Sequence, residues 1–132
     1  MVTAMIDTMV FDRLVDDPEA FAAVKLALRE RRLALFTTPV QEAQVAAVAD
    51  PRRRKQLRTV PREVLPTRDD AVADGRRHIA DAMIAETARA RCDLLVTEDR
   101  RLTERSRAQG LEVWNVERLL GWVNGQASKR PV

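Results

Sequence analysis

Cysteine, histidine, serine and glycine are all scarce in this chain of 132 residues. It has one Cys, Cys92, and one His, His78. A lone thiol excludes an internal disulfide and a Cys-rich zinc site, and a lone imidazole excludes the paired-histidine zinc motif. The only serines are Ser106 and Ser128, a poor basis for a Ser-His-Asp hydrolase. Gly75, Gly110, Gly121 and Gly125 spell neither a P-loop nor a dinucleotide fingerprint. There is no Tyr, and aromatics make up 4% of the chain, so base-stacking modules have little support. Apolar runs last a few residues, far short of the roughly 18 a membrane span needs. The single thiol, with no basic-then-apolar leader and with Asp7 interrupting the N-terminal stretch, argues for a reducing cytosol. What chemistry remains belongs to carboxylates, arginine, hydroxyls and a hard metal ion.

The apolar content of 45% is enough for one core in one domain. The net charge is +3, unevenly spread. Between Asp50 and Arg62, six bases (Arg52, Arg53, Arg54, Lys55, Arg58 and Arg62) stand against Asp50 alone. The rest of the chain is mildly acidic, a pattern suited to a polyanion met on one side.

Strands and helices alternate along the sequence. Ala4-Met5-Ile6 is a short apolar strand ending at Asp7, and Thr8 to Leu14 reads as a helix. Asp17-Pro18-Glu19 supplies a cap, a first-turn Pro and a first-turn acid, and Phe21, Val24 and Leu28 follow at helical spacing to Arg31. Leu33 to Thr37 is a strand, and Thr38-Pro39 starts a helix expected to carry Val40, Ala43 and Ala47 on one side. Asp50-Pro51 starts the arginine-bearing helix. Pro61 and Pro66 bracket Val64-Leu65 as a short edge strand, and Thr67 to Arg77 is polar and loosely helical. His78 to Arg91 is a strong helix, Leu94 to Thr97 a strand, and Leu102 to Gln109 a helix stopped by Gly110. Leu111 to Trp114 is a strand, and Asn115 caps a last helix through Trp122. The domain is expected to span residues 1–123, with a flexible tail over 124–132. This alternation predicts an α/β fold with a central, mainly parallel sheet flanked by helices.

Parallel sheets place ligands at the carboxyl ends of their strands. Asp7 directly follows the first strand, and Asp99 follows the Leu94–Val96 strand beyond Thr97. Glu42 lies one turn into the helix leaving the second strand. Asp81 is expected in the first turn of the long helix, on the face marked by Ile84 and Ala88. Were the four carboxylates to converge at about 5 Å, each pair would repel by roughly 3 kcal/mol at an effective dielectric near 20. Mg²⁺ or Mn²⁺, which prefer oxygen ligands, would remove that repulsion and could serve phosphodiester hydrolysis. Against this stands the ordinary use of acids as helix caps and first-turn residues.

Four segments carry a resemblance: Met5-Ile6-Asp7-Thr8, Thr38-Pro39-Val40-Gln41-Glu42, Asp81-Ala82-Met83-Ile84-Ala85-Glu86-Thr87-Ala88 and Leu94-Leu95-Val96-Thr97-Glu98-Asp99. In order and spacing, from Met5 to about Val123, the chain resembles a PIN domain. Its length resembles the VapC-type toxins of toxin–antitoxin pairs. The resemblance implies a three-layer sandwich and a Mg²⁺- or Mn²⁺-dependent endoribonuclease acting on RNA. It implies catalytic and metal-holding roles for Asp7, Glu42, Asp81 and Asp99, with supporting hydroxyls from Thr8 and Thr97. It also implies a homodimer silenced by a VapB-type antitoxin that inserts a basic side chain among the acids. Two positions depart from the pattern: Met9 stands where Asn is usual, and Glu98 stands where Asn is frequent, offering a spare carboxylate beside Asp99.

Arg52, Arg53 and Arg54 are candidates for guiding RNA phosphates, with a solvated helix face or a subunit surface as the plain alternative. Arg100 and Arg101, next to Asp99, are better placed to touch a substrate backbone. His78 is a helical residue three positions before Asp81, Cys92 a small buried group, and Trp114 and Trp122 are packing residues. Asp12 and Asp16 are expected to face solvent. The rival reading is a PIN-like module that binds RNA or protein without catalysis. A phosphoacceptor domain is disfavoured, because Lys25, Lys55 and Lys129 follow no strand.

Overall fold

Aspartate, threonine and proline set the helix starts. In the computed structural model, which describes residues 1–66 and 77–128, the order is β1 (Val2–Ile6), α1 (Thr8–Val15), α2 (Pro18–Arg29), β2 (Leu33–Thr37), α3 (Pro39–Ala46), α4 (Pro51–Leu57), β3 (Glu63–Val64), α5 (Arg77–Arg91), β4 (Leu94–Val96), α6 (Arg100–Ala108), β5 (Glu112–Trp114) and α7 (Val116–Ser128). Asp7, Asp17, Asp50 and Asp99 each cap the following helix through a side-chain oxygen. Thr38 and Gln41 form a reciprocal capping box at α3. Gly110, at φ +84°, takes the left-handed conformation that ends α6.

The strands form one sheet in the order β3-β2-β1-β4-β5, and every pairing is parallel. Val2 aligns with Leu33, Ile6 with Val96, and Leu94 with Glu112. The chain leaves β1 toward β2 and β3 on one side, then returns to lay β4 and β5 on the other. The switch point therefore falls between β1 and β4, where such sheets open a crevice at their carboxyl ends.

Both faces of the sheet are covered, as parallel strands require. Ala4 and Ile6 of β1, with Leu94 and Val96 of β4, enter one core with residues of α1, α2 and α7. Met5 and Leu95 point the other way, into a second core with Ile84, Ala85 and Ala88 of α5 and Leu102 of α6. This is the expected three-layer sandwich.

Several expectations shift. On α3 the buried residues are Val40, Gln41 and Val45, while Ala43 and Ala47 are exposed. Alanine carries too little apolar area to orient a two-turn helix, whereas the Gln41 amide is drawn inward by its hydrogen bonds. α7 runs through Ser128, so the boundary expected after Val123 falls inside a helix. The edge strand is Glu63–Val64 rather than Val64-Leu65. The expected loose helix over Thr67 to Arg77 lies outside the described residues except at its last position, which begins α5.

Candidate active site at the switch point

Asp7 and Thr97 each follow the last residue of paired strands, since Ile6 aligns with Val96. The Asp7 amide continues the ladder by donating to the Val96 carbonyl at 3.0 Å. Thr97, 2% exposed, donates its hydroxyl to Asp7 Oδ2 at 2.8 Å and accepts the Asp99 amide at 3.0 Å. One buried hydroxyl thus fixes both strand-end aspartates. The Thr8 amide donates to Asp7 Oδ1 at 2.7 Å, while the Thr8 hydroxyl turns to Gln44 Oε1 at 2.5 Å. Asp99 Oδ1 accepts the Leu102 amide at 3.1 Å, so Asp99 also caps α6.

Asp81 lies in the second turn of α5, because the helix begins at Arg77. It is half-buried, on the stripe of Ile84, Ala85 and Ala88 that packs on the sheet. Burial pushes the Asp7 carboxyl above its ordinary value of 3.8; the Thr97 and Thr8 hydrogen bonds oppose this, and the charges of Asp81 and Asp99 add to it. Asp7 thus lies within reach of the charges of Asp81 and Asp99, which add least to its shift.

Glu42 is placed differently. Its Oε1 meets Arg62 Nη2 at 2.7 Å, and its Oε2 meets Arg62 Nε at 3.0 Å and the Thr37 hydroxyl at 2.7 Å. The Arg62 hydrogen bond holds the Glu42 carboxyl below its ordinary value of 4.5 against partial desolvation, with help from Thr37. Among the described residues no three acidic, His or Cys side chains stand close enough to surround one ion. Mg²⁺ is commonly held by one or two carboxylates plus waters, so the hard oxygen donors of Asp7, Asp81 and Asp99 fit such an ion bound by part of the set.

The expected basic candidates separate. Arg53 donates to Asp16 at 2.8 Å and lies 3.7 Å from Asp12. Asp16 closes α1 about 12 Å of helix beyond Thr8, at 1.5 Å per residue. Arg54 donates to the Val48 carbonyl at 2.8 Å, and Arg52 is exposed. Arg100 and Arg101 line an open groove with Asp99 and Glu104, and Arg100 meets Glu104 at 3.2 Å. Arg100 also borders a second groove with Thr97, Arg107 and Asn115.

Glu98 is not spare: it pairs with Arg13 at 2.8 Å and accepts the Val116 amide at 3.3 Å. Met9 is exposed. Burial raises the half-buried Cys92 thiol to about 11. Trp114 and Trp122 pack on each other, with ring centroids 5.9 Å apart. The His78 side chain lies outside the described residues.

No protein-family model matches the chain, and no curated protein matches it. Among solved structures it is similar to a PilT N-terminus (PIN) domain protein from the hyperthermophilic archaeon Sulfolobus solfataricus P2. The two share 12% identity over 92% of each chain, with a TM-score of 0.62. The fold is that of a PIN domain.

Two residues of this PIN fold escaped the sequence reading. Gln41 is fully buried, and its side-chain amide donates to the Ile6 carbonyl, tying the start of α3 to the end of β1. Thr38-x-x-Gln41 is a visible capping-box signal, although nothing in it foretells the link to β1. Arg62 sits in the basic segment, where composition alone makes it one cation among six.

Proposed function

We propose that this chain is a Mg²⁺- or Mn²⁺-dependent endoribonuclease. The observation that supports this reading is the placement of Asp7 and Asp99 just beyond the carboxyl ends of the adjacent strands β1 and β4, both bonded to the Thr97 hydroxyl. A bound divalent cation would supply Lewis-acid charge at the scissile phosphate and a more acidic water. One or two carboxylates of the set Asp7, Asp81 and Asp99 would hold it, with waters completing the shell. Thr97 keeps Asp7 and Asp99 aimed by bonding to both. Arg100 and Arg101 open beside Asp99 and would take the flanking phosphates.

By resemblance, the chain would be the toxin of a toxin–antitoxin pair, a homodimer silenced by a VapB-type antitoxin in the cytoplasm. No described helix is long and apolar enough to cross a membrane.

Purified chain incubated with RNA and Mn²⁺ tests the proposal. Cleavage is expected, with Asp81→Asn reducing the rate at least 100-fold. Equal cleavage by parent and variant would remove Asp81 from the reaction. The second reading, a binding module without catalysis, draws on the neutralisation of Glu42 by Arg62. It requires RNA retention with no cleavage under any divalent cation.

A further inference from the structure

The two grooves at the carboxyl edge share Arg100 and differ in charge. In the groove beside Asp99, Arg100 and Arg101 stand with Asp99 and Glu104, two charges against two. The neighbouring groove, of about 290 Å³, lies beyond the ends of β4 and β5, and its charged lining is Arg100, Arg107 and Glu98. Glu98 is already engaged: Arg13 meets it at 2.8 Å, and the Val116 amide donates to it at 3.3 Å. The second groove is therefore left positive, which suits an anion.

Helical spacing builds one side of it. Arg100, Thr103 and Arg107 fall at i, i+3 and i+7 along α6, one stripe of the helix. At 1.5 Å per residue the two arginines are rooted about 10 Å apart. Arg107 Nη2 donates to the Val113 carbonyl at 3.1 Å, which uses one of the guanidinium's five donors and aims the group across the groove. Arg100 meets only Glu104, at 3.2 Å, through side chains 92% and 68% exposed. Such a surface pair is weak and gives way to a better anion.

Asn115 and Trp114 form the facing wall. Trp114 is 7% exposed, packs against Trp122 and lies under Arg118, 4.9 Å from its ring centroid. Little of the indole face is left for a base to stack on. The groove thus offers charge and hydrogen bonds to a backbone, and no aromatic platform to a base. Thr97, bonded to both Asp7 and Asp99, also lines it, so it adjoins the candidate active site.

We propose that the groove between α6 and the end of β5 is a backbone subsite for RNA, where Arg100 and Arg107 hold phosphates of one strand and no base is read. This rests on the ribonuclease reading above and carries the strand past Arg101 toward β5.

Anisotropy titration of a labelled RNA oligonucleotide with the full chain, in calcium buffer at several KCl concentrations, tests this. Arg107→Gln should weaken binding at least fivefold and lower the slope of log affinity against log salt by about 1. Arg107→Lys keeps the charge and should bind within threefold of the parent. Asn115→Asp keeps the oxygen that accepts the Arg118 amide at 2.8 Å and adds a negative charge to the wall. It should weaken binding at least threefold while melting as the parent does, and it decides alone if Arg107→Gln fails to fold. Exchanging oligo(A) for oligo(U) should change affinity less than threefold. Arg107→Gln and Asn115→Asp both within twofold of the parent, or a tenfold preference for one homopolymer, overturns the proposal and leaves the ribonuclease reading standing. A parent that binds no RNA overturns both.

Discussion

Asp7 and Glu42 both face the sheet edge, but their protons move in opposite directions on folding. Asp7 holds its proton to higher pH in the folded chain than its ordinary 3.8. The folded state therefore binds more protons, and stability declines as pH rises from 3.8 through the raised folded value. Glu42 is lowered from 4.5. Its contribution is present above 4.5 and is lost as pH falls through the lowered folded value. At pH 7 without divalent cations, Asp7→Asn should melt above the parent, and the gap should close below pH 3.8. Glu42→Gln should melt below the parent by about 1–2 kcal/mol, a deficit that shrinks in acid. Melting curves from pH 3 to 7 check both signs; a stabilised Glu42→Gln, or a destabilised Asp7→Asn, contradicts them.

Helix starts were the most legible elements, because Asp-Pro and Thr-Pro encode both a cap and a fixed first turn. Asp17-Pro18, Thr38-Pro39 and Asp50-Pro51 all begin helices. The inward face of α3 was not legible, since it is set by Gln41 bonding to a carbonyl on β1, 35 positions earlier. Thr97 shows how much one short connection carries: Thr97→Val removes a buried donor to Asp7 and the acceptor of the Asp99 amide. It should cost about 1–3 kcal/mol in thermal unfolding, and an unchanged melting curve would deny that link. The two arginine groups also differ at this scale. Arg53 braces α4 against α1, whereas Arg100 and Arg101 open onto the groove beside Asp99. Arg100→Ala with Arg101→Ala should weaken RNA binding at least fivefold in calcium buffer, and Arg52→Ala should leave it within twofold. The reverse ranking would move the RNA path to α4.

For the whole molecule, topology places the site. A parallel sheet that reverses its winding between β1 and β4 brings Asp7 and Asp99 together from 92 positions apart, and α5 packs Ile84, Ala85 and Ala88 on the same sheet with Asp81 on that stripe. Asp7 and Asp99 were readable as residues following strands, and Asp81 through its spacing to Ile84 and Ala88. The partner of Glu42 was not, because Arg62 lies 20 residues away and is set there by its packing on Phe11 and its bonds to the Leu57 and Val60 carbonyls. The central proposal is that burial makes the ionised Asp7 carboxylate costly at the strand ends, and that a divalent cation there relieves it. Melting temperature against Mn²⁺ at pH 7 tests this most directly. Near 100 times the dissociation constant, the parent should gain about 2.7 kcal/mol, while Asp7→Asn, already more stable, should barely respond. A parent melting temperature that stays flat as Mn²⁺ rises into the millimolar range would contradict the account.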